Sequence, residues 1–315
     1  MKIAVIDCGT NTFNLLIKNQ QTGEIHYNDK IPVRLGQGGL EDNTLNEASW
    51  QRGLDALHSH KKTIAQLAPN APIYVMATSA VRSASNGAAF VKAVADETGL
   101  KLNVISGDQE AELIFKGVQQ GMNLPDAPTL IMDIGGGSSE FILVENQKPV
   151  FQASYNIGSS RLMENFRPAD PILPEEAKKI TDYLETELQD LLAVCQKYQP
   201  RILIGSSGSF DTIADMCVQN FKTTKLEPEK GHYTFKLHEY MQIAQRMAEA
   251  TYDERLHTPG MIPMRADLIV MAHLQINLLV KRLGIKTLQQ CNFALKEGLF
   301  HSLKANPEKW QKSSL

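Results

Sequence analysis

The amino-acid sequence predicts an α/β protein with two similar halves, each a β-sheet flanked by helices. The first observation is an internal repeat: residues 3–17 (IAVIDCGTNTFNLLI) resemble residues 129–143 (TLIMDIGGGSSEFIL), and a shift of 126 places Asp7 on Asp133. The second is that strand-like apolar runs alternate with longer helical patterns along the rest of the chain, an order typical of sheets with flanking helices. The repeat therefore predicts duplicated domains that face each other.

Each copy of the repeat predicts a buried strand, an aspartate at its end, a glycine-bearing turn and a second strand. Further strands are expected at Ile25–Leu35, Ile73–Ala77, Leu102–Ile105, Val150–Tyr155, Arg201–Ile204 and Thr287–Gln290. Helices are expected at Glu47–Leu67, Asn86–Thr98, Asp108–Gln120, Pro174–Gln196, Ser209–Val218, His238–Ala250 and Ala266–Arg282. The segment Gly121–Pro128 carries glycine and proline between a helix and a strand, so we expect one domain at residues 1–124 and another at residues 125–294.

The composition excludes several classes of protein. Of the 315 residues, 43% are hydrophobic and 21% are charged, which is ordinary for a globular protein and argues against a mainly disordered chain. The formal net charge of −3 disfavours a nucleic-acid coat and a polybasic membrane binder, so we expect no nucleic-acid partner. The apolar stretch Leu268–Val280 is too short to span a bilayer, and the four apolar residues between Lys2 and Asp7 are too few for a signal peptide. We therefore expect no membrane partner.

The cysteines indicate a reducing compartment. They are scattered, with no C-x-x-C pair and no histidines at zinc spacing, at Cys8, Cys195, Cys217 and Cys291. This pattern argues against a disulfide framework and against a structural zinc site. We therefore expect reduced thiols and a cytoplasmic protein.

The segment 133–140 (DIGGGSSE) is the first candidate binding motif. Its three consecutive glycines cost backbone entropy, so a close approach to the backbone is expected there. Their N–H groups, with the hydroxyls of Ser138 and Ser139, could cradle a phosphate. Asp133 beside such an anion suits direct or indirect Mg²⁺ binding, because hard cations take carboxylate oxygens. The alternative is a hairpin whose aspartate merely caps the turn.

A second copy of the motif and a third glycine-bearing loop extend the candidate site. The second copy, residues 7–12 (DCGTNT), makes the capping alternative less attractive. Neither copy is a Walker loop or a dinucleotide fingerprint, because no Gly-Lys-Ser/Thr follows and each turn leads into a strand. The loop 205–209 (GSSGS) opens a helix, where free N–H groups favour anions, although an ordinary helix cap is also consistent with it. The predicted phosphate-binding residues are Thr10, Asn11, Thr12, Gly135, Gly136, Gly137, Ser138, Gly205, Ser206, Ser207 and Gly208.

Two further charged residues have ordinary explanations on sequence grounds. Glu110 lies in the first turn of a helix that begins with Ser106 and Gln109 at capping-box spacing, where acids are stabilised by the helix dipole. Arg82 follows the end of a strand, and arginine suits bidentate contact with phosphate, but a lone arginine is commonly a solvated surface charge. The residues alone leave both roles open.

Together these segments resemble the exopolyphosphatase / guanosine pentaphosphate phosphohydrolase (Ppx/GppA) family, within the actin-like ATPase superfold. The resemblance extends over nearly the whole chain, in IAVIDCGTNTFNLLI, MATSAVRSA, ISGDQEAELIFKGV, MDIGGGSSEF, SYNIGSSRLMENF, LIGSSGSFDTIADM and RLHTPGMIPMRADLIVMA. It implies two actin-like (ribonuclease H-like) domains with an interdomain cleft, and a C-terminal helix at about 295–315 that packs back on the first domain. It also implies Mg²⁺ dependence and release of terminal phosphate from polyphosphate or guanosine penta/tetraphosphate, with a homodimer left open.

The resemblance also implies roles for particular residues. Carried over by position, the family's catalytic glutamate is Glu110 and its phosphate-contacting arginine is Arg82. The metal ligands are expected among Asp133, Glu140 and Asp7. One departure is Gln109, where many relatives have a second glutamate. Glu110 would deprotonate a water that attacks the terminal phosphorus.

Two other functions share these sequence features. A small-molecule kinase of the same superfold is the first alternative, because fold alone does not fix function. A non-catalytic polyphosphate or alarmone sensor is the second. The glutamate expected beside the attacking water favours hydrolysis over both.

Overall fold

The computed structural model describes residues 1–222 and 231–313, which form two β-sheets with flanking helices. The first sheet has the order β3-β2-β1-β4-β5, with β1 (Lys2–Cys8), β2 (Thr12–Asn19), β3 (Ile25–Pro32), β4 (Ile73–Ala77) and β5 (Leu102–Val104). The second has the order β10-β11-β9-β6-β7-β8, with β6 (Thr129–Ile134), β7 (Ser139–Glu145), β8 (Lys148–Tyr155), β9 (Ile202–Ser206), β10 (His232–Phe235) and β11 (Thr287–Cys291).

The two sheets share one topology. In each, the first three strands form an antiparallel meander, and two later strands continue the sheet parallel to the first. Strand β10 adds an antiparallel edge that the first sheet lacks. The predicted α/β class with two actin-like domains is confirmed, and the sequence repeat marks the hairpins β1–β2 and β6–β7.

The strand register places polar residues in a row on each sheet. Directly paired residues project from the same face, so a row of three crosses three strands. The rows are Asp7–Asn14–Lys30 in the first sheet and Asp133–Glu140–Ser154 in the second. The repeat therefore keeps the aspartate of each row and changes the residues beside it.

The helices agree with most of the predicted ones. They are α1 (Glu47–Leu67), α2 (Ser79–Ser83), α3 (Gly87–Thr98), α4 (Gly107–Gly121), α5 (Ser159–Phe166), α6 (Pro174–Glu187), α7 (Gln189–Tyr198), α8 (Ser207–Phe221), α9 (Leu237–Glu249), α10 (Tyr252–Leu256), α11 (Ile269–Leu283) and α12 (Leu295–Ala305). The single helix predicted at Pro174–Gln196 is wrong, because Leu188 leaves helical geometry (ψ 16°) and separates α6 from α7. None of the helices in the described ranges combines the length and the apolar character that crossing a membrane requires.

The C-terminal segment completes the packing between the sheets. Helix α12 packs along α4, and Ser313 pairs with Ile73 of β4. Residues 314–315 of the helix predicted at about 295–315 lie outside the described residues, and the helix itself ends at Ala305. A hydrophobic cluster joins β1, α4, α12 and the second sheet, and it includes Ile3, Val5, Ile114, Ile131, Ile142, Leu299 and Phe300. The boundary between residues 124 and 125 stays a prediction.

Candidate active site

A pocket of about 140 Å³ lies between the two hairpin turns. Since one water needs roughly 10–15 Å³ by the same kind of measure, the pocket has room for a phosphate group and a water. The predicted site residues that line it are Asp7, Thr10, Asn11, Thr12, Glu110, Asp133, Gly135, Gly136, Gly137, Ser138, Glu140, Ser207 and Gly208. The predicted residues Arg82, Gly205 and Ser206 do not line it.

Helix α5 orients the second turn. The carbonyl groups of Gly135, Gly136 and Gly137 accept hydrogen bonds of 2.9–3.1 Å from the backbone of 159–161 and from the Arg161 side chain. Because a trans peptide places its carbonyl and the following N–H on opposite sides, the N–H groups of residues 136–138 point toward the pocket. In the described parts of the chain these buried N–H groups donate no hydrogen bond, so the turn presents three free donors to a ligand.

The first turn is held in the same way by the loop that follows β3. Asn11 accepts backbone N–H groups from Val33 and Arg34, both at 2.9 Å, and Thr10 accepts one from Gly36 at 3.2 Å. The N–H groups of residues 11 and 12 therefore turn away from that loop, toward the pocket. Within each turn, the first glycine donates to the residue three positions on, at 3.0 Å in both copies. The duplicated turns thus offer duplicated donors.

The glycines of the second turn are required by the first turn. A β-carbon at Gly136 would lie 2.7 Å from Asn11 Nδ2, and one at Gly137 would lie 2.6 Å from Ser79 Oγ. Both distances are too short, so the turns can approach each other only without side chains there. Asn11 Nδ2 and Ser79 Oγ are buried and have no hydrogen-bond partner among the described residues. Ser79 was missed on sequence grounds, because a lone serine after a strand carries no pattern.

Glu110 enters the pocket from the first turn of α4. The predicted capping box is present, since Ser106 Oγ accepts the Gln109 N–H and Gln109 Oε1 accepts the Ser106 N–H. The cap fixes the start of the helix and places Glu110, 7% exposed, against the pocket. Arg82 Nη1 donates to Glu110 Oε2 at 2.7 Å and to the Ile105 carbonyl at 3.1 Å.

Burial and charge oppose each other at this carboxyl group. Burial raises the pKa of Glu110 to about 7, although the guanidinium of Arg82 and its hydrogen bond act to lower it. The carboxyl therefore titrates near neutrality. Arg82 does not line the pocket, and the structure places it behind Glu110.

Two further carboxyl groups are held by hydroxyls of the second sheet. Ser206 Oγ donates to Asp133 at 2.7 Å, while Ser138 and Ser154 donate to Glu140 Oε1 at 2.6 and 2.7 Å. Burial raises the pKa of Asp133, and it raises that of Glu140 well above its usual range, with added repulsion from Glu110 and Asp133. These hydroxyls fix both carboxyl groups in the wall of the pocket.

Asp7 faces them from the first sheet. It accepts a hydrogen bond of 3.1 Å from Asn14 Nδ2, and burial raises its pKa to about 6 despite the positive charge of Lys296. Asp7, Asp133 and Glu140 thus bring three carboxyl groups, whose charged forms are disfavoured by burial, to a pocket that also presents phosphate-type donors.

A preformed metal cage is absent from the part of the chain that the structure describes, since no three acidic, cysteine or histidine side chains converge there. Mg²⁺ in phosphate-handling sites is commonly held by one or two carboxylates together with phosphate oxygens and waters. The buried carboxylates of Asp7, Asp133 and Glu140 have the chemistry for such a shared site. They fit a Mg²⁺ that arrives with the substrate.

The loop 205–208 brings Ser207 and Gly208 to the pocket, and its glycines also make room for neighbouring side chains. Its phosphate-binding role stays a prediction. A side chain at Gly205 would collide with the ring of Phe210, and one at Gly208 would collide with the guanidinium of Arg265. Gly208 thus admits Arg265, 8% exposed, to the pocket wall. On sequence grounds Arg265, which flanks Thr258-Pro259-Gly260, carries the same ambiguity as Arg82 between a phosphate contact and a surface charge. Lys30 and Lys296 line the same pocket and were not singled out, because an isolated lysine is indistinguishable from a surface charge in the sequence.

The fold and the pocket define a class of protein: an actin-like α/β protein with buried carboxyl groups and free backbone donors between its two sheets. Comparison with known families gives the family. The model of the Ppx/GppA phosphatase family matches residues 17–306, and the chain belongs to that family, whose exopolyphosphatase members are phosphohydrolases. The family predicted from the sequence motifs is confirmed.

Several relatives are similar over nearly their whole length. Exopolyphosphatase 1 of Mycobacterium leprae is 27% identical, with 95% of this chain and 88% of the relative covered. The crystal structure of an exopolyphosphatase from Cytophaga hutchinsonii is 34% identical, covers 97% of this chain and 98% of its own, and superposes with a TM-score of 0.92. The Aquifex aeolicus Ppx/GppA enzyme is 25% identical with a TM-score of 0.76, covering 96% and 99% of the two chains.

Proposed function

We propose that this protein releases terminal orthophosphate from inorganic polyphosphate, from guanosine pentaphosphate (pppGpp) or from both, using a water activated by Glu110. The observation that carries the proposal is a buried carboxyl, near neutrality in its pKa, opposite two turns that present free N–H groups. The exopolyphosphatase names of the relatives support the same reaction class. A glutamate poised to take a proton favours water over a sugar hydroxyl bound beside a nucleotide.

The donors of the two turns hold the terminal phosphate. N–H groups of residues 11–12 and 136–138, with the side chains of Asn11 and Ser79, bind its non-bridging oxygens. A phosphate bound between the turns accepts hydrogen bonds from donors that otherwise have no partner.

Glu110 orients the attacking water and takes its proton as the bond to phosphorus forms. The bond between phosphorus and the bridging oxygen then breaks, and its electron pair leaves with the shortened chain. A pKa of about 7 suits this role, because the carboxylate is present at neutral pH and still basic enough to accept a proton. Arg82 keeps this carboxylate aimed and ionised.

Mg²⁺ would be held by Asp7, Asp133 and Glu140 together with substrate oxygens, and it would supply charge neutralisation between phosphates. The hydroxyls of Ser206, Ser138 and Ser154 keep two of these carboxylates in place.

Phosphate release measured in parallel on short polyphosphate, long polyphosphate and pppGpp tests the proposal. We expect Mg²⁺-dependent release from at least one of them, and we expect no consumption of ATP when candidate sugars are supplied. ATP consumption with a sugar would establish a kinase. Tight binding of all three phosphates without release would establish a sensor.

A further inference from the structure

The two polar rows differ in a way that divides the pocket. In the second sheet, the position after the aspartate is Glu140 and the next is Ser154, which donates to it. In the first sheet the matching position is Asn14, and the next residue across is Lys30. One wall therefore carries an acid held by hydroxyls, and the other carries an amide and a cation.

Three cations that line the pocket lie near one another, since the charges of Arg265 and Lys296 both act on Lys30. Lys30 comes from β3, Lys296 from the first turn of α12, and Arg265 from the turn before α11. Arg265 is more than nine-tenths buried, yet across residues 1–222 and 231–313 its guanidinium makes no hydrogen bond and no ion pair within 4 Å. A buried guanidinium with unused donors indicates an anionic ligand.

The carboxyl groups nearby do not occupy these cations. Within residues 1–222 and 231–313, Glu297 supplies the one carboxylate within 4 Å of the Lys296 ammonium, at 3.7 Å, and Glu297 also accepts the Ala294 N–H at the start of α12. Asp211 lies near all three cations, and its Oδ1 accepts a hydrogen bond of 2.7 Å from Gln290. Among the described residues it forms no ion pair within 4 Å with any of these cations. In the described chain Lys30, exposed at the rim, makes no ion pair, so its three donors are free.

We propose that Lys30 and Lys296, beside Arg265, form a second phosphate subsite that binds the phosphates remaining after the terminal one is cleaved. The inference rests on the proposed function, because it assumes that the terminal phosphate lies between the two turns. The ligand class is a linear chain of at least two phosphates joined by anhydride bonds. In this arrangement the two ammonium groups stabilise the negative charge that develops on the bridging oxygen during cleavage.

Binding measurements on the full chain test the subsite without relying on turnover. The probes are orthophosphate, which occupies one subsite, and a methylene-bridged tripolyphosphate analogue, which spans several and cannot be cleaved at its bridges. The variants are Lys30→Met, Lys296→Met and the double variant, compared by calorimetry in the presence of Mg²⁺. Lys178→Met is the matched control, because Lys178 is an exposed lysine of α6 that is paired with Asp182 and does not line the pocket.

Each pocket variant should raise the Kd of the analogue by at least ~10-fold, the usual worth of a charge-assisted hydrogen bond, and change that of orthophosphate by less than about twofold. The control should change neither. An unchanged analogue affinity, or equal losses for both probes, would overturn the subsite. If the wild type releases no phosphate while this selective loss is seen, hydrolysis is refuted and the subsite stands. Thermal melting of each variant checks that it is folded.

Discussion

Glu110 receives opposing influences from its surroundings. Burial disfavours its charged form, while the Arg82 guanidinium at 2.7 Å favours it. Burial has the larger effect, so the pKa lies at about 7 instead of its ordinary 4.5. Removing either influence should therefore move the pH at which the protein becomes active.

Replacing Glu110 by glutamine should lower kcat by at least ~10²-fold, the low end for loss of a general base. The fold and the affinity for a non-hydrolysable analogue should be nearly unchanged, because glutamine keeps the shape of the side chain. Steady-state phosphate release and calorimetry measure the two properties. A variant that retains half of the wild-type kcat would show that another group activates the water.

Replacing Arg82 by alanine should move the activity profile to higher pH. In the wild type, kcat/KM should rise with pH around the Glu110 pKa of about 7. In the variant this rise should occur roughly one pH unit higher, because the positive charge that favours the carboxylate is gone. Lysine at this position should restore the wild-type pH profile in part, since it keeps the positive charge but lacks the planar donor geometry of the guanidinium. A rise in KM at every pH with an unshifted pH profile would instead make Arg82 a phosphate contact.

The sequence predicted some site residues and not others for a physical reason. Asp133 and the glycines were found because a strand–glycine–strand pattern is local and repeated. Ser79 lies against a distant glycine, Gly137, so nothing in its neighbourhood along the chain marks it. Arg265 is ambiguous in the sequence, because its place against Gly208 is set by the fold. The resemblance places Arg82 on the phosphate, which stays a prediction, and in the structure its guanidinium donates to Glu110.

At the scale of the elements, two glycines allow helices α4 and α12 to pack closely. A methyl group at Gly298 would overlap the Leu113 carbonyl, and one at Gly117 would overlap the Ala294 carbonyl. The helices therefore touch backbone to backbone. Because α4 begins beside Glu110 and α12 begins beside Lys296, this contact sets the distance between the two ends of the pocket.

Gly298→Ala should destabilise the protein by about 1–3 kcal/mol through overpacking, although alanine is the better helix former by about 1 kcal/mol. It should also lower kcat, because the start of α4 must shift. Lys304→Ala, an exposed position in the same helix, is the control and should change neither property. Urea unfolding and phosphate release are the measurements. Wild-type stability in Gly298→Ala would mean that the helices can separate at no cost.

Helix α5 shows where pattern-based prediction ends. It spans eight residues, Ser159–Phe166, too few for a helical period to stand out, and its first N–H groups are bound by the second turn. Long α1, in contrast, was predicted with its observed bounds because its apolar stripe repeats over 21 residues. Local periodicity is visible in the sequence, whereas a helix started by a tertiary contact is not.

Across the whole molecule, the carboxyl groups of the pocket oppose folding when ionised. Asp7, Glu110, Asp133 and Glu140 all have raised pKa values because of burial. Between the ordinary and the raised pKa the folded protein binds more protons than the unfolded chain, so stability falls as pH rises through this range. Ionised carboxylates in the pocket thus lower the free energy of unfolding, and a bound cation would offset this destabilisation.

The difference in unfolding free energy between the wild type and Glu110→Gln should isolate one of these groups. It should decline by roughly 3 kcal/mol between about pH 4.5 and about pH 7, the ordinary and the raised pKa of Glu110, and stay level above. Urea unfolding of both proteins without Mg²⁺ across this range is the measurement. A difference independent of pH would mean that the carboxyl is not perturbed.

The cluster that joins β1 to α12 bears on how the chain is made. A ribosome delivers Ile3 and Val5 long before Leu299 and Phe300, yet all four pack together. In a nascent chain that ends after the second sheet and before α12, this apolar surface remains exposed to solvent and to chaperones. We expect stalled chains lacking residues 295–313 to be cut by protease within the first sheet, and chains extended past residue 313 to resist, because the apolar surface of β1 is covered only after α12 has been made.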